Sequence, residues 1–287
     1  MRLNRWHVAG AVATVSAALV GWYAWRSRDP QAEPERVAIS GPVGKREANS
    51  PNDVLAVRRR LIGLGFRWAE GDGTFDSTLS ETLRLMNSIL RGQNVVRGSD
   101  RVAIEDGWLH EDRAPRWQLM PSQGVGFHNH ERSDLRDQHD FGTSWMAEVI
   151  RAAGREYQRS HRSGHRGAAL LTVNDVSLKR GGPTPDHAGH ECGLACDLRL
   201  PRRNGTAGGL QHLDPDYDRA ATRAQLLALR GQPQVRRILF NDPRLVREGL
   251  CRRAPGHDDH VHFEIAPPRS VAKAPTPGDE CQEATCK

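Results

Sequence analysis

At 287 residues, 37% hydrophobic and 26% charged, the chain is too long for one small domain and too rich in apolar residues for a disordered one. Its net charge of +6 comes almost wholly from arginine, with lysine only at Lys45, Lys179, Lys273 and Lys287. The basic residues are scattered, without a dense patch interleaved with aromatics, which speaks against nucleic acid and leaves an anionic polymer or membrane as the partner.

The first element is the uncharged stretch from Val8 to Trp25, preceded by Arg2 and Arg5 and followed by Arg26 and Arg28. Its length lies between a signal-peptide core and a spanning helix. Trp6, Trp22, Tyr23 and Trp25 bracket it as an interfacial aromatic belt would. No small-x-small cleavage site closes it before Trp25, so residues 1–29 are expected to form an uncleaved hydrophobic helix anchored in the inner membrane, with a cleaved signal peptide as the alternative. Either expectation sends the remainder across the membrane.

Residues 30–50 mix Pro, Gly, Ser and charge without periodicity and read as a linker. Ser50 then stands as an N-cap before Pro51, and Val54, Val57, Leu61 and Leu64 recur at helical spacing. A solvated face of this helix accounts for the run Arg58, Arg59, Arg60. Gly71 and Gly73 flank Asp72 in a tight turn, and a second helix is expected from about Ser77 to Leu90, burying Leu79, Leu83, Met86 and Leu90. With residues 92–115 completing it, 51–116 reads as a small three-helix domain.

From 117 to 267 the pattern becomes strands and loops with one clear helix, in which Met146, Val149, Ile150 and Ala153 share a face. "GAALLTVNDVSL", "CGLACDLRL", "VRRILFN" and "HVHFEI" are the strand candidates. Without βαβ regularity, the expected class is α+β with a mostly antiparallel sheet. Residues 268–287 read as a tail. The cysteines Cys192, Cys196, Cys251, Cys281 and Cys286 suggest disulfides in an exported chain. Cys192 and Cys196 would be roughly 13 Å apart in an extended strand, too far to pair, so Cys251 is the more plausible partner for one of them or for a tail cysteine.

"GHDDHVHFE" places His257, His260 and His262 within six positions. Val261, Phe263 and Ile265 alternate with His260, His262 and Glu264, so His260 and His262 share a strand face. "PDHAGHECGLACDLRL" adds His187, His190 and Asp197, the last flanked by apolar neighbours in a strand where a carboxylate is costly without a cation. If the two strands pair, His190, Asp197 and His262 converge as two imidazoles and a carboxylate, a common zinc set that leaves a position for water. In "GFHNHERSDLRDQHD", no apolar residues alternate with His128, His130 and His139, so a solvated loop is expected rather than a second metal cluster.

Two resemblances follow from these motifs. "VRRRLIGLGF", "GDGTF" and "LRLMN" are similar to the peptidoglycan-binding domain type, with Met86 and Asn87 where that family shows a Phe-Gln pair. "LKRGGPTPDHAGHECGLACDL" and "PGHDDHVHFEI" resemble the penicillin-insensitive murein endopeptidases, within the zinc peptidases that include lysostaphin-type, D-Ala-D-Ala and hedgehog-like domains. The second resemblance spans roughly 150 residues and implies zinc on His190, Asp197 and His262. It also implies His260 as catalytic partner, with His187 and His257 lining the site. Asp259 stands where it would orient an imidazole. Ala195, Gly189 and Glu191 depart from the family's aspartate, serine and glutamine. The implied activity is a periplasmic murein endopeptidase cutting D-alanyl-meso-diaminopimelate cross-links in peptidoglycan. A D,D-carboxypeptidase of the same fold and a non-catalytic wall-binding protein with structural zinc are the alternatives.

Overall fold

The computed structural model describes residues 34–133, 138–184 and 189–269. Helix α1 (Pro51–Gly63) begins with proline at its first position and buries Val54, Val57 and Leu61. The Ser50 side chain makes no capping bond. Helix α2 (Ser77–Leu90) is capped by Asp76, whose Oδ1 accepts the Leu79 N–H at 2.8 Å, and it buries Leu79, Leu83, Met86 and Leu90.

Three expectations for this half are corrected. Arg58 and Arg60 do not lie on a solvated face: each is 1% exposed. Arg58 donates to the carbonyls of Ala69, Glu70 and Thr74 and to the Asp76 carboxylate, tying down the Gly-Asp-Gly turn. Arg60 donates to the carbonyls of Glu35, Trp108 and Glu111, so each guanidinium satisfies backbone acceptors that burial would otherwise leave costly. Residues 35–50 are not a free linker: Val37, Ile39 and Val43 are buried, Val43 bridges to Val102, and Asp53 accepts from Ser40 and Gly41. The 92–115 stretch supplies no third α-helix, only the 3-10 turn Gly107–Leu109.

The described residues from Glu35 onward form one compact unit. At the expected 116/117 boundary, Trp117 donates its backbone N–H to the Leu64 carbonyl at 2.7 Å and its indole N–H to the Lys179 carbonyl at 2.8 Å. Its ring stacks on Phe66, and the two halves share one apolar core.

The remainder is α+β. Strands β1 (Trp117–Leu119) and β4 (Phe141–Thr143) make a two-stranded ladder. Strands β2 (Gln123–Gly124), β3 (Phe127–Asn129), β5 (Leu171–Val173), β6 (Ala195–Arg199), β7 (Val235–Leu239) and β8 (His260–Ile265) form a sheet in the order β2-β3-β5-β6-β8-β7. Only β3 and β5 run parallel. Helix α3 (Ser144–Tyr157), capped by Thr143, buries Met146, Val149, Ile150 and Ala153 as its periodicity requires. Two further helices went unread in the sequence: α4 (Arg219–Arg230), capped by Asp218 and packed on α3, and the short α5 (Pro243–Arg247). Gly193 leads into β6 at φ +61°, where a Cβ would stand 2.6 Å from the Gly142 Cα. Glycine alone permits both that backbone and that approach.

Candidate metal centre

The ladder between β6 and β8 builds the site. Ala195 faces Glu264, Asp197 faces His262 and Arg199 faces His260, while the intervening pairs Cys196–Phe263 and Leu198–Val261 turn into the core. Because side chains alternate along a strand, those first three pairs stand as successive rows on one sheet face. His190, just before β6, reaches the middle row.

There, His262 Nδ1 lies 2.8 Å from Asp197 Oδ1, His190 Nε2 lies 3.2 Å from His262 Nδ1, and His190 Nε2 lies 3.4 Å from Asp197 Oδ1. All three residues are at most 5% exposed. Their partners fix which ring nitrogens face inward. His190 Nδ1 donates to the Val176 carbonyl at 2.9 Å, and His262 Nε2 sits 3.3 Å from Glu264 Oε1. The outer nitrogens therefore carry hydrogens, and two imidazole nitrogens and a carboxylate oxygen point at one another. Three acceptors this close require a positive charge between them, supplied by a proton on His262 Nδ1 or by a metal ion. Among the described residues this is the one group of three whose ligand atoms all lie within 4.8 Å of each other.

The electrostatics agree. Burial opposes ionisation of Asp197, but the surrounding imidazoles of His190, His262 and His260 outweigh it and hold its carboxyl far below the usual carboxylate range. Burial likewise disfavours charge on His262, yet Asp197 and Glu264 raise it to about 9. Burial would also raise Glu264, but His262, Arg237 and Arg236 bring it down to about 2.

His260 stands one row away, its Nε2 3.8 Å from Asp197 Oδ2 and its Nδ1 2.8 Å from Asp259 Oδ1. With 27% of its side chain exposed, it is placed to meet a ligand. His257 packs 4.9 Å from the His260 ring and 5.5 Å from the His262 ring, with Nδ1 against the Pro255 carbonyl. Burial, chiefly, depresses its basicity. His187 lies outside the described residues. Asp197, His260, Asp259, Asn174, Asp175 and Arg199 border a cleft of about 720 Å³.

Sequence reasoning gave Glu264 no part in the site. It is 2% exposed and salt-bridged to Arg236, at 3.2 Å, and to Arg237. A bulge between Val235 and Arg237 sets both arginines against this single residue of β8. The available signal was its position two residues beyond His262, on the same strand face. Of the positions that differ from the motif the sequence resembles, Ala195 lies in the row of Glu264. Glu191 instead accepts the Val96 N–H at 2.7 Å, turned toward the helical half.

The 127–140 stretch is not wholly the expected solvated loop. Phe127–Asn129 form β3, Asn129 and His139 are buried, and His139 Nδ1 lies 3.6 Å from Asp175 Oδ1, whereas His128 is exposed. Cys192, Cys196 and Cys251 are buried free thiols, so no disulfide joins any two of them; Cys281 and Cys286 lie outside the described residues. The expected anchor, 1–29, lies outside them too, and no helix among the described residues is long and apolar enough to cross a membrane. Neither a family model nor a curated protein matches the chain.

Proposed function

We propose that this chain is a zinc-dependent murein endopeptidase that hydrolyses D-alanyl-meso-diaminopimelate cross-links in peptidoglycan. The observation that carries the reading is the convergence of His190 Nε2, Asp197 Oδ1 and His262 Nδ1, beside a cleft that Asp197 and His260 border. The motif resemblance of "PDHAGHECGLACDL" and "PGHDDHVHFEI" supplies the substrate class.

The residues fit a metal: three neutral or anionic donors face one point, and each imidazole is held by a partner on its far nitrogen. Zinc bound there would supply a water of lowered pKa and a Lewis acid for the scissile carbonyl. His260 faces the cleft, accepts the proton of the attacking water and returns it to the leaving amine. Asp259, on its Nδ1, fixes the tautomer that leaves Nε2 free for this exchange. Three protein donors rather than four argue for a catalytic over a purely structural zinc. An amino-terminal anchor in the inner membrane would hold the enzyme on the periplasmic side, within reach of the wall.

His260→Ala tests the reading. The variant is expected to keep its zinc and its melting temperature while losing cleavage of cross-linked muropeptides by at least about a hundred-fold. Unchanged cleavage would remove His260 from the mechanism, whereas a zinc-loaded wild type that cleaves nothing would favour a wall-binding role.

A further inference from the structure

Arg199 is the one guanidinium bordering the cleft among the described residues. It lies two residues beyond Asp197 in β6 and directly across the ladder from His260, on the face that carries the metal group. Its guanidinium makes no hydrogen bond or ion pair within the described residues, although Asp214 borders the same cleft. The Asp214 carboxylate instead accepts the Gln211 N–H at 2.6 Å. The neighbouring Arg202 is held by Asp216 and by the carbonyls of Gly208 and Gly209. The Arg199 side chain rests on the backbone of Gly208, where a Cβ would stand 2.0 Å from its Nε. At φ +85° that position also favours glycine conformationally. A half-buried cation is thus seated on a glycine at the border of the cleft, one ladder row from the candidate metal group.

We propose that Arg199 is a carboxylate subsite. It pairs with a free carboxylate on the residue that supplies the scissile nitrogen, so the enzyme selects amides with such a carboxylate next to them. The proposal rests on the reading of the site as a zinc peptidase. A planar guanidinium binds a carboxylate through two parallel hydrogen bonds, which gives geometry as well as affinity. One ladder row is about 7 Å, two residues of extended chain, so a carboxylate adjoining the scissile amide falls within the arginine's reach. In a D-alanyl-diaminopimelate cross-link, the carbon bearing the scissile nitrogen carries such a carboxylate. An internal amide of an ordinary protein does not.

The test uses the zinc-loaded full-length chain and two probes: a cross-linked muropeptide dimer, and the same dimer with that diaminopimelate carboxylate amidated. The wild type is expected to prefer the free acid by about ten- to hundred-fold in kcat/KM, mostly through KM, as expected for a charged hydrogen bond. Arg199→Ala is expected to bring the ratio near one, with Arg199→Lys between. A ratio unchanged in Arg199→Ala overturns the proposal. If the wild type cleaves neither dimer, the peptidase reading fails, and calorimetric binding of the two dimers then decides the subsite: equal affinity of wild type and Arg199→Ala for the free acid overturns it, and a selective loss supports it.

Discussion

His262 Nδ1 lies 2.8 Å from Asp197 Oδ1, directly across the β6–β8 ladder, although 65 positions separate the two residues in the chain. The antiparallel register alone brings them together, and His190 adds the third donor. Asp197→Ala should therefore abolish stoichiometric zinc binding, read by atomic absorption after gel filtration. Two remaining imidazoles make a far weaker site. Full zinc content in the variant would mean that the ion sits elsewhere.

Glu264 touches the candidate metal group through His262, whose Nε2 lies 3.3 Å from its Oε1. Glu264→Gln should lower zinc affinity by about ten- to hundred-fold, measured by competition with a chromophoric chelator. It should also cost stability, because Arg236 and Arg237 lose the carboxylate between them. A stability loss without a change in zinc affinity would make Glu264 a purely structural residue.

Zinc affinity should depend on pH with a definite sign. The metal-free His262 holds its proton up to about 9, and zinc must displace that proton from Nδ1. Affinity should rise about ten-fold per pH unit up to that value and then level off, with about one proton released per zinc at neutral pH. In the metal-free protein the same raised value gives stability that is fully present below about 6.5 and fades as pH climbs toward 9. Calorimetry in buffers of different ionisation enthalpy counts the proton; no release at pH 7 would contradict this charge state.

Arg58 should be a stability residue of the helical half. Arg58→Met leaves the carbonyls of Ala69, Glu70 and Thr74 without their donor and should cost about 3 kcal/mol in chemical denaturation. A loss under about 0.5 kcal/mol would fit the solvated face that the arginine run suggests.

The parts of the fold legible in the sequence were those with clean periodicity. Leu79, Leu83 and Met86 mark α2, Met146, Val149 and Ile150 mark α3, and the alternation of His260, His262 and Glu264 with Val261, Phe263 and Ile265 marks β8. Helix α4 escaped because Thr222 and Gln225 sit in its buried stripe and blunt the pattern, although Asp218 and Gly231 flank it as end signals. The burial of Arg58 and Arg60 was hidden because it depends on carbonyls brought in from distant segments. The grip of Arg236 and Arg237 on Glu264 was hidden because it depends on a bulge, a property of register between strands. His190, Asp197 and His262 were legible as candidates since each sits in a short motif; their distances needed the ladder.

The most direct measurement of the central claim is digestion of purified murein sacculi by the full-length protein, with and without a zinc chelator, followed by separation of the muropeptides. The account predicts that cross-linked dimers become monomers, that the chelator stops this, and that added zinc restores it. Trimming of terminal D-alanine with dimers intact would point to a carboxypeptidase. Intact muropeptides from a protein shown to carry zinc on His190, Asp197 and His262 would contradict the enzyme altogether.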